Sequence, residues 1–211
     1  MRCSTPASRG TILRILNGTY EPEQTRLFEQ HVRPGATVLD VGAHVGYYTV
    51  LSAVLAGPSG RVHAFEPNPK NAEFLRRHVR INRLDTVRVE QAAVSDHEGT
   101  ARFDFGTGSG TGHLADAGAL EVHTLRLDDY CAEHALAPAA IKIDVEGAEM
   151  SVLAGAFDTL ARHQPTIFLS THGPEVHAAS TDFLRGMGYQ LRPILGDRVE
   201  FATEVLATPG A

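Results

Sequence analysis

The sequence predicts an α/β fold: a doubly wound, mostly parallel sheet covered by helices. Apolar runs of strand length alternate with amphipathic stretches of helix length, as parallel βαβ units require. A turn bracketed by Gly42 and Gly46 joins the first apolar run to the first of these helices. Acidic residues stand at the tips of three runs, Asp40, Glu66 and Asp144, where open α/β sheets bind their ligands.

The elements follow in order. Residues 36–41 (ATVLDV) form the first strand, and the helix opened by the glycine turn runs to about Ala56, where Gly57-Pro58-Ser59-Gly60 stops it. Residues 61–65 (RVHAF) form the second strand. Glu66 follows, then a helix from about Asn68 to Asn82 with Asn68 as its cap. Residues 87–94 (VRVEQAAV) give the third strand, 141–145 (IKIDV) the fourth and 166–171 (TIFLST) the fifth. A helix from about Pro174 to Met187 leads into closing strands at 189–194 and 199–206. Their short link, Leu195-Gly196-Asp197, suits a hairpin, so the last strand is expected to be antiparallel. Between the third and fourth strands an inserted β-ribbon, 100–105 with 122–127, brackets a Gly-rich loop at 106–118. That loop is expected to be flexible and to order over substrate as a lid. Residues 1–20 read as an N-terminal arm and residues 21–211 as one domain.

Composition narrows the function classes. A net charge of −6 disfavours a nucleic-acid partner, which needs a basic face. Arg76, Arg77, Arg80 and Arg83 fall at helical spacing and read as a solvated face. Two cysteines, Cys3 and Cys131, rule out a disulfide framework and fit a reducing cytoplasm. No apolar run reaches the roughly 18 residues of a membrane span, so no membrane partner is expected. Residues 1–9 lack the apolar core of a signal peptide.

The sharpest signal is VLDVGAHVGYYT at 38–49, comprising Asp40, Gly42, Ala43, His44, Gly46, Tyr47 and Thr49. A dinucleotide's pyrophosphate prefers G-x-G-x-x-G and a helix N-terminus free of negative charge. Here the spacing is G-x-x-x-G, and Asp40 would repel a diphosphate while favouring the ammonium and sulfonium of S-adenosylmethionine. Glu66 is placed to accept hydrogen bonds from a ribose diol. Asp96 is placed to receive an adenine amino group, with Val94 and Ser95 beside the ring.

With these residues assembled, the sequence resembles the FkbM family of class I methyltransferases from about Asn17 to Thr171. The marks are GTYEPE (18–23), LDVGAHVGYYT (39–49), AFEPNPKN (64–71), AAVSDHEGTARF (92–103), LDDY (127–130) and IKIDVEGAE (141–149). The resemblance implies a Rossmann-like, seven-stranded sheet in the order 3-2-1-4-5-7-6 and methylation of hydroxyl groups on small molecules or sugars. It also implies that Tyr20 and Glu21 touch the cofactor or close its pocket, and it includes Pro67 in the ribose-binding segment. Two departures stand out: His44 replaces the family's usual Asn in the turn, and Ser170-Thr171-His172 replaces a Glu-containing stretch after the fifth strand.

Methyl transfer to a hydroxyl needs donor and acceptor aligned and a group to take the proton. Asp144 and His172 are the candidates, with His113 in the Gly-rich loop as a further one. Lys142, one of two lysines in the chain, shares a strand face with Asp144 and is expected to pair with it or with ligand. Glu146 and Glu149 read as acids favouring the next helix's N-terminus. Asp144, Glu146 and His172 could ligate a divalent metal, but none is expected, since no two ligands recur at i, i+4 on a helix. The expected partner is a small-molecule or sugar acceptor, and an exposed arm could pack on a second copy to give a homodimer. The same pocket could serve nitrogen or carbon methylation. The other classes left open are an NAD-binding oxidoreductase and a non-catalytic nucleoside-binding module.

Overall fold

The apolar runs assemble into a seven-stranded sheet in a computed structural model that describes residues 17–104, 113–114, 118 and 120–210. The arm up to residue 16, most of the expected loop at 106–118 and the side chain of His113 lie outside the described residues. The first half of the chain gives α1 (Pro22–His31), β1 (Thr37–Val41), α2 (Tyr47–Ala56), β2 (Arg61–Phe65), α3 (Pro69–Ile81) and β3 (Val87–Glu90). An insertion follows, with β4 (Ala93–Val94), β5 (Gly99–Asp104), β6 (His113–Leu114), β7 (Leu120–Leu125) and α4 (Leu127–Glu133). The chain then returns through β8 (Ala140–Ile143), α5 (Glu149–Ala154), α6 (Phe157–His163), β9 (Thr166–Ser170), α7 (Pro174–Gly186), β10 (Tyr189–Pro193) and β11 (Glu204–Pro209).

The main sheet runs β3-β2-β1-β8-β9-β11-β10. Counted within that sheet, the order is the 3-2-1-4-5-7-6 that the resemblance implies. Its pairings are parallel except those of β11, which is antiparallel to both β9 and β10. The chain reverses direction across the sheet between β1 and β8, so the glycine turn after β1 and the tip of β8 meet at the topological switch.

Strand alternation divides the core. Leu39, Val41, Phe65, Ile141, Ile143 and Leu169 pack on one face with side chains from α4 to α7. Val38, Val62 and Phe168 pack on the other with Tyr48 of α2 and Phe28 of α1. The Phe28 ring stacks on Phe168 at 4.0 Å between centroids and is wholly buried, worth roughly 2–3 kcal/mol of apolar burial. Sequence reasoning leaves α1 unassigned, although Pro22 in its first turn, Glu23 near its start and His31 near its end are ordinary helix signals.

Two expected elements differ from the structure. The third strand does not run unbroken to Val94: it leaves the main sheet after Glu90, whose carbonyl accepts the Glu66 N–H at 3.0 Å. Ala93 and Val94 instead pair with β7 in a second sheet of order β4-β7-β5-β6, which contains the expected ribbon. At the other end, β11 begins at Glu204, not Val199, and the link is longer than a tight hairpin. Val199–Phe201 form a 3-10 turn with Phe201 78% exposed, so the alternating pattern there marks a surface segment.

Candidate active site

The glycine turn after β1 is shaped by sterics before chemistry. Gly42 adopts φ 79°, and a Cβ there would lie 1.8 Å from the carbonyl oxygen of Asp144. The close approach that demands glycine is therefore to the tip of β8. Gly46, at φ 93°, caps α2, and a Cβ there would meet Leu75 at 2.2 Å. His44 sits between them at φ 50°, with its backbone N–H donating to Glu66 Oε2 at 2.8 Å.

Asp40 and Glu66 are buried beside this turn. Asp40 Oδ2 accepts the Thr49 hydroxyl at 2.5 Å, while Oδ1 is buried and has no hydrogen-bond partner among the described residues. Burial raises the Asp40 carboxyl above the ordinary range, against the opposing pull of Lys142 and Thr49. Glu66 Oε1 accepts from the Asn68 N–H at 2.9 Å and the Asn71 amide at 3.4 Å. Burial nonetheless pushes its carboxyl up to about 7. Pro67 follows, half-buried, and Asn68 caps α3 as expected, accepting from the N–H groups of Lys70 and Asn71. Each buried acid is thus under-compensated and would be relieved by donors or positive charge from a ligand.

The segment before α1 closes one side of the turn. The Tyr20 ring meets Tyr47 at 4.8 Å, and the Tyr48 hydroxyl donates to Glu21 Oε2 at 2.7 Å. Tyr48 also lies under Lys142, whose Nζ is 5.1 Å from the ring centroid. Sequence reasoning omitted Tyr48, although it stands inside the Gly42–Thr49 motif. On the other side, Val94 and Ser95 are buried at the end of β4. Asp96 is exposed and engaged by the Ser95 hydroxyl at 3.1 Å and by His97 Nδ1 at 2.8 Å. The hydrogen bond from His97 holds its carboxyl below the usual range.

At the tips of β8 and β9 the structure brings Lys142, Asp144 and His172 together. Lys142 is 3% exposed, and its ammonium donates to Asp144 Oδ2 at 3.0 Å. Burial alone would lower the lysine, but Asp144 and Asp40 outweigh it and hold it charged. Burial would raise Asp144, but Lys142 pulls it below the ordinary carboxylate range. His172 Nδ1 lies 2.7 Å from Glu149 Oε1, and its Nε2 faces Asp144 and Glu146. The Glu149 contact raises His172, burial opposes it, and Glu146 and Asp144 add to the rise. Glu149 is wholly buried at the first residue of α5, and its Oε1 also accepts the Gly147 N–H at 3.1 Å. The helix-dipole reading of Glu149 missed its contact with His172, because that contact depends on β9 lying beside β8.

A cavity of about 460 Å³ lies between Thr171, Gly173 and His177 on one side and Glu200, Phe201 and Thr203 on the other; Lys142, Asp144, Glu146 and His172 do not line it. Its volume is in the range of small-molecule sites. Among the described residues no helix is long and apolar enough to cross a membrane.

Comparison with known proteins bears on family and fold. Residues 40–191 match the family model for the methyltransferase FkbM domain. The chain is 35% identical to the 31-O-demethyl-FK506 methyltransferase FkbM of Streptomyces tacrolimicus, over 60% of this chain and 62% of that protein. It is 31% identical to the 2-O-methyltransferase NoeI of Sinorhizobium fredii, over 62% of this chain and 61% of that protein. The chain thus spans about three fifths of the length of these curated relatives. In fold it is similar to the crystal structure of an FkbM methyltransferase from Methylobacillus flagellatus, with a TM-score of 0.61 and 20% identity over 98% of this chain and 56% of that one.

Proposed function

The chain belongs to the FkbM methyltransferase family, and on that premise we propose that it methylates a hydroxyl group of a small molecule or sugar with S-adenosylmethionine as donor. The observation that carries the donor reading is Asp40, a buried carboxylate at the tip of β1 with one oxygen unpaired among the described residues. That oxygen suits the ammonium of the donor's amino-acid end, and it opposes a diphosphate. Glu66 would take the ribose hydroxyls, and Val94, Ser95 and Asp96 would border the adenine. Tyr20, Tyr47 and the Glu21–Tyr48 contact would shut the turn against water. The printed names of the two curated relatives, both O-methyltransferases, support oxygen as the acceptor atom.

When bound, the donor supplies a methyl group already activated by its sulfonium. The protein's own work is alignment and proton removal. The acceptor's hydroxyl would be directed at the β8 tip. Asp144 then serves as proton acceptor: Lys142 fixes one of its oxygens and the other faces His172 Nε2 at 3.7 Å. Asp144, held by Lys142 and facing His172, would receive the hydroxyl proton as the methyl group passes to the acceptor oxygen, the donor sulfur keeping the electron pair of the bond it loses.

Calorimetric titration with S-adenosylhomocysteine and with NAD, followed by turnover of labelled S-adenosylmethionine over a panel of polyols, sugars, amines and carbon acids, tests the proposal. A methoxyl product is expected. Binding of NAD but not S-adenosylhomocysteine would overturn the donor assignment, and an N-methyl or C-methyl product would overturn the acceptor assignment.

A further inference from the structure

Resting on the acceptor reading above, we propose that Asp144, Glu146 and His172 form a divalent-cation site that receives the acceptor's hydroxyl oxygen. One donor atom from each of the three lies within 4.8 Å of the others. His172 Nε2 is 3.7 Å from Asp144 Oδ1 and 3.5 Å from Glu146 Oε2. Two donors each ~2.1 Å from a shared cation stand ~3.0 Å apart at a right angle and ~3.4 Å apart at the tetrahedral angle. An inward shift of the groups would therefore bring the three donors to coordinating distance of one ion.

Glu149 supplies the second observation. It is wholly buried, and its Oε2 has no hydrogen-bond partner among the described residues. Its other oxygen holds His172 Nδ1 at 2.7 Å. A metal-bound imidazole characteristically donates its remote N–H to such a carboxylate, which leaves the second nitrogen's lone pair for the ion. Carboxylates also outnumber cations here. Lys142 is engaged with Asp144 Oδ2, and the His172 imidazole faces Asp144 Oδ1, Glu146 and the buried Glu149 together. A buried carboxylate with an unmatched oxygen calls for positive charge close by.

Two oxygen donors and one nitrogen suit Mn²⁺, Fe²⁺, Co²⁺ or Zn²⁺ better than Ca²⁺ or Mg²⁺, which favour oxygen shells. Three protein donors leave positions open for an acceptor hydroxyl and for water. A hydroxyl bound there loses its proton more readily. In the loaded site Asp144 acts through the cation, and the proton leaves to water.

The test uses the full chain after chelator treatment, with Mn²⁺ titrated and free Mn²⁺ followed by electron paramagnetic resonance. One equivalent is expected to bind. Glu146→Gln and His172→Asn should each weaken binding by about tenfold or more, Glu149→Gln should weaken it too, and Zn²⁺ should displace the Mn²⁺. Circular dichroism confirms that each variant is folded. Failure of the wild-type chain to bind Mn²⁺, with or without S-adenosylhomocysteine, overturns the inference, as does wild-type affinity in folded Glu146→Gln. S-adenosylhomocysteine binding is measured on the same samples. Its absence beside intact Mn²⁺ binding would sink the methyltransferase reading and leave the cation site standing.

Discussion

Glu66 gives the sharpest handle on the donor pocket, because its charge can be changed without mutation. Burial pushes its carboxyl up to about 7, and the ionised form is the one able to accept both hydroxyls of a ribose. At about pH 6 roughly one molecule in eleven would then carry the carboxylate, and at about pH 8 roughly ten in eleven. If only that form binds fully, S-adenosylhomocysteine affinity rises about tenfold across the interval, equivalent to ~1.4 kcal/mol. Stability runs the opposite way. A folded value raised above the ordinary 4.5 means that the group's contribution is fully present below that value and is lost as pH rises through about 7. The ligand-free protein should therefore melt at lower temperature above neutrality, and bound cofactor should recover more stability at about pH 8 than at about pH 6. Glu66→Gln keeps the shape and removes the charge. Calorimetry should find its affinity weaker at about pH 8 and its pH dependence flattened. A wild-type affinity that does not change over this interval, or a Glu66→Gln variant with the wild-type slope, refutes the assignment of Glu66 to the ribose.

Asp40→Asn should weaken S-adenosylhomocysteine binding by about 10- to 100-fold in calorimetry, the usual worth of a hydrogen bond between charged groups. Asp144→Asn should lose about 100-fold or more in turnover of labelled donor while keeping cofactor affinity within about threefold. Gly42→Ala should cost more than ~3 kcal/mol in chemical denaturation or fail to fold, since its Cβ would sit 1.8 Å from the Asp144 carbonyl at φ 79°. Tyr48→Phe removes the hydroxyl's hydrogen bond to Glu21 and should cost about 1 kcal/mol in the same assay, without cooperative loss of the fold.

The main sheet was legible because its signal is local. Strand-length runs such as 61–65 and 166–171 are bounded by glycine, proline and polar turns, and the Asn68 cap follows from the side chain's own reach. What stayed hidden depends on partners distant in sequence. Residues 87–94 read as one strand, yet the chain leaves β3 at Glu90 because β7, about 30 residues later, offers Ala93 and Val94 a better edge. The alternation at 199–206 looked like strand throughout, but Val199 and Phe201 find no sheet neighbour. In the site, Asp40, Glu66 and the Lys142–Asp144 pairing could be read from strand tips and alternation. The Glu149–His172 contact could not. It spans two segments whose closeness is fixed only when β8 pairs with β9.

The seat of Gly42 against Asp144 has one more consequence. Backbone there abuts backbone with no space for a methyl group, so the turn proposed to hold the donor and the strand end proposed to face the acceptor are packed without slack. Displacing either by a few tenths of an ångström would tilt the line of attack on the methyl carbon.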